Sequence, residues 1–337
     1  MNKSLLILAD KLCIMCIGLL LMISPASQAE DVLIIESYNS SFKWDQEYVD
    51  AVRAELEPGY SVARVAMETN GLDKKYFSAA AYRTFQAYLT IKPKVVVLGD
   101  DTALNYMLPL LYQEPINIVF LGINGNPRQL IKRYQGSARV TGVLERPYFI
   151  ETIGEIAKML PVDRRKLLIL FDSGSISPIA RTYMQQKYQL IAQNMNLDIQ
   201  FEEIATEREW QQAVNGSRQQ GYGAILLGVY HNLLNSEGQR VDDQQLLSWT
   251  SQNSPLPVFA LWNFSVGIGK AIGGVVVTGE EQGRLAGQIA LDILDNGTDA
   301  NTIPIRSQHE GFAVYSKREM DRWGLTAPKS WWDIDDR

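Results

Sequence analysis

The chain has 337 residues, 46% of them hydrophobic and 21% charged, with a formal net charge of −6. Such a length corresponds to about two domains and such a composition to a packed core, which excludes a disordered or fibrous chain. The acidic balance, with no Lys/Arg block, argues against nucleic acid as partner, because phosphate binding needs a basic face.

The N-terminus carries the most specific local signal. Lys3 and Lys11 flank a first polar stretch, Leu12 to Ile23 is almost unbroken apolar sequence, and Ser27-Gln28-Ala29 supplies small residues where a signal peptidase reads. This pattern predicts a signal peptide over 1–29, cleavage before Glu30 and a periplasmic protein. The apolar run is shorter than the roughly 20 residues that span a bilayer, and no later stretch reads as transmembrane. Ile14 and Met15 are not the small residues that a lipoprotein site at Cys16 requires. Both cysteines, Cys13 and Cys16, fall inside the segment, so the exported chain is expected to lack disulfides and thiolate chemistry.

From Asp31 short apolar runs alternate with amphipathic stretches. Val32 to Ile35 reads as a buried strand, and Asp45 opens a helix with Tyr48, Val49, Val52 and Leu56 on one face. Strands are expected at 61–67, 95–98, 118–121 and 140–144, with helices at 76–91 and after Asp101. The rhythm then restarts, with strands at 167–171, 199–204, 224–229, 258–261 and 274–278. Helices are expected between them at 178–195, 207–219 and 242–252, then at 280–295, ended by Asn296-Gly297 as a left-handed cap. This alternation predicts an α/β protein of two doubly wound parallel-sheet lobes. The switch near 144–161 has no Gly/Ser linker, which predicts structured crossovers and hinge motion.

In open parallel sheets ligands sit beyond the carboxyl ends of strands. Those loops carry Ser37, Tyr38, Asn39, Phe42 and Trp44, then Asp100 and Asp101, then Asn124 and Asn126. In the second set they carry Asp172, Ser173, Ser175 and Ser177, then Tyr230, His231 and Asn232, then Trp262, Asn263 and Phe264. Turn and capping chemistry accounts for many of these residues singly. The aromatics recurring on three loops, beside amides and hydroxyls, suit a small polar ligand with a flat or apolar surface. The segment Asp172 to Pro178 fits either an anion at a helix start or a Ser177 cap with Pro178 at the first position.

Enzyme motifs are mostly absent from the sequence, although the members of a Ser/His/Asp triad need not be close along the chain. The glycines of Gly267 to Gly273 have the wrong spacing for a phosphate loop and precede a strand. There is no G-x-S-x-G or HExxH, and His231 and His309 lack metal-ligand spacing. Asp100-Asp101 reads as a helix-capping pair ahead of a Mg²⁺ site. No catalytic residue, metal or cofactor is expected.

Several stretches together resemble the ABC-transporter substrate-binding-protein family, which has the type I periplasmic binding protein fold. They are Val32 to Asn39 with Phe42-Lys43-Trp44, Leu98 to Ala103, Val119 to Asn124, and Thr141-Gly142-Val143. The resemblance implies two lobes joined by three crossovers that close over a ligand. The expected division is 30–144 plus 275–300 for the N-terminal lobe and 145–274 plus 301–337 for the C-terminal lobe. Within it Tyr38, Trp44 and Trp262 are expected to stack on the ligand. Asn39, Asp101, Asn124, Ser175 and Asn263 would orient it, with Ser37, Ser173 and Tyr230 completing the set.

The implied function is capture of a small polar ligand, of the amino acid or sugar class, and delivery to an ABC permease. The alternative is a sensing protein that docks on a membrane sensor kinase, cyclase or chemoreceptor. A third reading is an exported hydrolase using cleft carboxylates such as Asp100, Asp101 or Glu280.

Overall fold

The structure is a computed structural model that describes residues 30–174, 176–308 and 310–335. The expected signal peptide, Ser175 and His309 lie outside the described residues.

The first lobe is a run of strand–helix units. It contains β1 (Val32–Glu36), α1 (Lys43–Leu56), β2 (Val62–Ala66), α2 (Phe77–Ile91), β3 (Val95–Gly99), α3 (Asp100–Leu111), β4 (Asn117–Ile123), α4 (Arg128–Arg133) and β5 (Arg139–Leu144). All five residues of β1 and of β3 are buried, as strands covered on both faces by helices must be.

The second lobe follows with α5 (Phe149–Met159), β6 (Lys166–Asp172), α6 (Ser177–Met195), β7 (Asp198–Ile204), α7 (Glu207–Gly216), β8 (Ala224–Leu227), α8 (Asp243–Asn253), β9 (Val258–Ala260) and β10 (Gly273–Val276). The chain then returns through α9 (Gly279–Asn296) and β11 (Arg306–Ser307) to the first lobe. It ends in the second with β12 (Phe312–Tyr315), α10 (Lys317–Arg322) and β13 (Trp332–Asp333). Gly297 closes α9 in the left-handed conformation, at φ 63°.

The first sheet runs β11-β5-β4-β3-β1-β2 and the second β7-β6-β8-β9, both parallel throughout. β10 leans on β9, where the Ile272 N–H donates to the Val258 carbonyl, and pairs antiparallel with β12. The chain therefore crosses between lobes three times, near residues 145, 277 and 308.

The boundary expected at residue 300 falls too early. Asn301 Oδ1 accepts the Val140 N–H, Thr141 Oγ1 donates to the Ile303 carbonyl, and Arg306 pairs with Val143. Residues up to Ser307 thus belong to the first lobe, where they cover the open edge of β5. The helix α5 has no counterpart in the sequence reading, although Phe149, Ile153, Ile156 and Ala157 form its buried face. It sits at the lobe switch, where the chain reads as connection.

Two helices hold the first lobe to the crossover. Gly279, Gly283 and Gly287 of α9 repeat every fourth residue and face α1. A Cβ on Gly283 would lie 2.3 Å from the Tyr48 carbonyl oxygen and 2.7 Å from its Cα. Gly283→Ala is therefore expected to destabilise by about 1–3 kcal/mol through overpacking, despite the better helix propensity of alanine. A lowered urea midpoint with unchanged slope is the predicted result; an unchanged midpoint would mean that α1 yields freely.

Candidate ligand-binding cleft

The carboxyl ends of β1, β3 and β4 face those of β6, β8 and β9 across a cleft with about 630 Å³ of atom-free space, partly open to solvent. Tyr38, Trp44, Asn124 and Trp262 of the expected set line it, together with Phe42, Asp100, Ile176, His231, Asn232 and Phe264 from the loops already noted. Asn70, Glu145, Val229 and Arg240 also line it and were not anticipated. Asn70 follows β2 and Glu145 follows β5, so the strand-end rule applied to every strand reaches both. Arg240 arrives on a loop folded back by the Leu234–Arg240 antiparallel bridge, for which the sequence carries no local signal.

Aromatic rings form one flank of the cleft. Tyr38 meets Phe42 edge-on at 5.2 Å, and Phe42 reaches across to His231 at 5.4 Å and Phe264 at 6.3 Å. His231 is seated against the Tyr230 ring at 4.6 Å, and its Nδ1 lies 2.8 Å from Asp243 Oδ2. Trp44 is only 3% exposed, so its indole belongs to the core as well as to the lining.

The carboxyl groups of Asp100 and Glu145 stand in the same lining. Asp100 opens α3 with φ 69°, a left-handed conformation unusual for a residue with a side chain. Gly122 makes room for it: a Cβ there would sit 3.0 Å from Asp100 Oδ1 and 3.6 Å from the Trp44 ring. Burial holds the Asp100 carboxyl well above the usual range, and the negative charges of Asp45, Glu145 and Asp101 push it further. Glu145 Oε1 accepts the Trp262 indole N–H at 2.7 Å, and its Oε2 accepts Asn124 Nδ2 at 3.1 Å. Burial raises the Glu145 carboxyl to about 7, with Asp101 adding to the shift while the Trp262 and Asn124 donors oppose it. Asp101 is raised by burial too, against the Asn124 and Gly125 backbone N–H groups.

The remaining expected residues lie elsewhere. Ser37 Oγ donates to the Gly99 carbonyl at 2.6 Å and accepts the Ala103 N–H, tying β1 to the head of α3. Asn39 accepts the Ser41 N–H and hydroxyl in an exposed turn. Asp101 clamps the β4 loop from behind, with its carboxyl turned onto Asn124 and Gly125. Tyr230 is buried with its hydroxyl 2.7 Å from Ser265 Oγ, and so supports His231 from below the cleft surface. Asn263 Nδ2 donates to both oxygens of Glu47, at 3.0 and 3.1 Å, a bond between lobes outside the cleft. Ser173 does not line the cleft.

The Asp172 to Pro178 segment holds a turn on Asp172 and not the expected Ser177 cap: Ser177 is the first residue of α6, its hydroxyl donates to Asp172, and Ile176 at the N-cap offers no side-chain bond. Asp172 accepts the Gly174 N–H, the Ser177 hydroxyl and the Asn232 N–H. Its carboxylate thereby occupies the donors that an incoming anion would need. The common reason for these departures is that a short polar side chain at a strand end satisfies neighbouring backbone before it reaches solvent.

Among the described residues no helix is long and apolar enough to cross a membrane. No group of three His, Cys, Asp or Glu side chains among them is placed to hold a metal ion.

No family model and no curated protein matches the chain. Solved structures do. The ABC domain in complex with L-Trp from Streptococcus pneumoniae is similar at TM-score 0.63 and 16% identity, over 89% of this chain and 96% of that one. A conserved domain protein from Vibrio cholerae gives TM-score 0.62 at 14% identity, over 90% and 97%. The ligand-free, open structure of a substrate-binding protein with adhesive properties from Clostridium difficile gives 0.61 at 12%, over 91% and 100%. Two parallel sheets, three crossovers and these neighbours agree: the chain has the type I periplasmic binding protein fold shared by ABC-transporter substrate-binding proteins.

Proposed function

We propose that the protein is an exported solute-binding protein that encloses a small ligand between its lobes and presents it to an ABC permease. The observation that carries this reading is a cleft lined from both lobes and closed by bonds between distant segments. The Trp262 indole reaches Glu145 at the first crossover, and Asn263 reaches Glu47 on α1. These contacts tie the second lobe to the crossover and to the first lobe, and a ligand that also touches both walls favours the closed form. Closure is then the signal that a membrane partner reads. The lining combines stacking surfaces with fixed amide and carboxyl groups, which suits recognition of one small polar molecule with an apolar face.

The test is thermal unfolding of the chain from Glu30 onward against amino acids, sugars, nucleosides and amines. A ligand at a hundred times its dissociation constant adds about 2.7 kcal/mol, enough to raise the midpoint by several degrees. A shift confined to one chemical class, with a smaller radius of gyration in small-angle scattering, is the expected result. A folded, ligand-free protein that answers to nothing in the panel would overturn the reading.

A further inference from the structure

Within the cleft the charges are distributed unevenly, and this bears on what the ligand must carry. Asp100 is 5% exposed, and its Oδ2 has no hydrogen-bond partner although it lines the cleft. The charged groups facing it are Asp45, Glu145 and Asp101, all acidic. Glu145, 3% exposed, faces Asp101 and Arg146. Arg146 directs its donors to the backbone carbonyls of Ile123, Asn124, Gly125 and Glu145 itself. The guanidinium that does line the cleft, Arg240, is matched by its own lobe. Its Nε donates to the His231 carbonyl, and Asp243, Asp172 and Asp242 lie around it.

On the first wall Asp100 Oδ2 has no partner and the Glu145 carboxyl is bonded by the neutral Trp262 and Asn124 donors, with Arg146 nearby, whereas three acidic groups surround the cation on the second wall. A strained backbone at Asp100, kept in place by the absence of a side chain at Gly122, points the same way. An uncompensated buried carboxylate is costly, and a charge brought in by the ligand relieves it. The surrounding rings of Tyr38, Trp44 and Trp262 favour a cation with a flat apolar body, because their faces are electron-rich.

We infer that the cleft takes a solute bearing a protonated amine on a flat apolar body, with the amine held at the Asp100–Glu145 wall. This rests on the solute-binding reading and narrows it to one charge class. A carboxylate on the ligand is not required, since acidic groups of the second lobe already surround Arg240.

The experiment titrates matched pairs that differ only in charge: tryptamine with tryptophol, and tyramine with 4-hydroxyphenethyl alcohol. L-Tryptophan and ribose are included beside them. The amines are expected to bind about tenfold to a hundredfold more tightly than their alcohols, the span of a charged hydrogen bond. Amine affinity should fall on acidification below pH 7, as protons compete for the same carboxyls. Asp100→Asn and Glu145→Gln, near-isosteric and uncharged, should each remove about tenfold or more of amine affinity. Thermal unfolding verifies that both variants remain folded. Alcohols that bind as well as amines, or L-tryptophan or ribose binding where tryptamine does not, would overturn the inference and leave solute binding standing. Silence across these compounds and the broader panel alike overturns both.

Discussion

Glu145→Gln is expected to stabilise the ligand-free protein by about 3 kcal/mol at pH 8 and to leave it nearly unchanged at pH 4. Burial raises the Glu145 carboxyl to about 7, whereas an unfolded chain holds glutamate at its ordinary value of 4.5. A raised acid stabilises the fold while protonated, and this contribution is complete below pH 4.5. It is lost progressively as the pH rises through 7, at about 1.4 kcal/mol for each unit of displacement. Glutamine keeps an acceptor for the Trp262 indole and has no proton to lose. Asp45, Asp100 and Asp101 are raised by burial in the same direction, so wild-type stability should also be greatest in mildly acid solution. The measurement is urea unfolding of both proteins from pH 4 to 8. A gap that does not widen with pH would show that Glu145 is not charged at a cost in the folded state.

Trp262→Ala is expected to weaken ligand binding by about 2–4 kcal/mol, roughly thirtyfold to a thousandfold. Two things are lost together: a ring on the cleft wall, and the donor to Glu145 that ties the second lobe to the crossover. The residue is held for this task by its parallel bridge to Val277, which places it beside the second crossover. Trp262→Phe separates the contributions. It retains a ring against the ligand but removes the indole N–H, so Glu145 loses a donor and its proton becomes harder to remove. The phenylalanine variant should fall furthest below wild type at pH 6, where its Glu145 stays protonated, and recover towards wild-type affinity as the pH rises and Glu145 ionises. Titration of the ligand found by thermal shift checks both variants. Wild-type affinity in Trp262→Ala would remove the residue from the site.

Much of the architecture was legible because hydrophobic periodicity is local. Strands such as Val32–Glu36 and Val95–Gly99 are buried on both faces and read as unbroken apolar runs. The helix α5 has an equally clear apolar face, yet it lies where the chain changes lobes and reads there as connection. The strand-end rule picks out Tyr38, Trp44, Asn124 and Trp262, which line the cleft. The same rule could not tell a side chain that faces the ligand space from one that turns back to cap a loop. Ser37 and Asp101 are of the second kind, and their partners are Gly99 and Ala103, and Asn124 and Gly125.

The sequence by itself determined two parallel-sheet lobes and the level at which a ligand would sit, since alternation and strand ends are properties of neighbouring residues. Only the tertiary structure decided which polar groups meet there. Trp262 finds Glu145 across 117 positions, Asn263 finds Glu47 across 216, and Arg240 enters on a loop that folds over His231. The choice of partner for a buried polar group depends on what lies opposite after the chain has crossed between lobes. No pattern along the chain encodes that, because burial demands only that each polar group be satisfied.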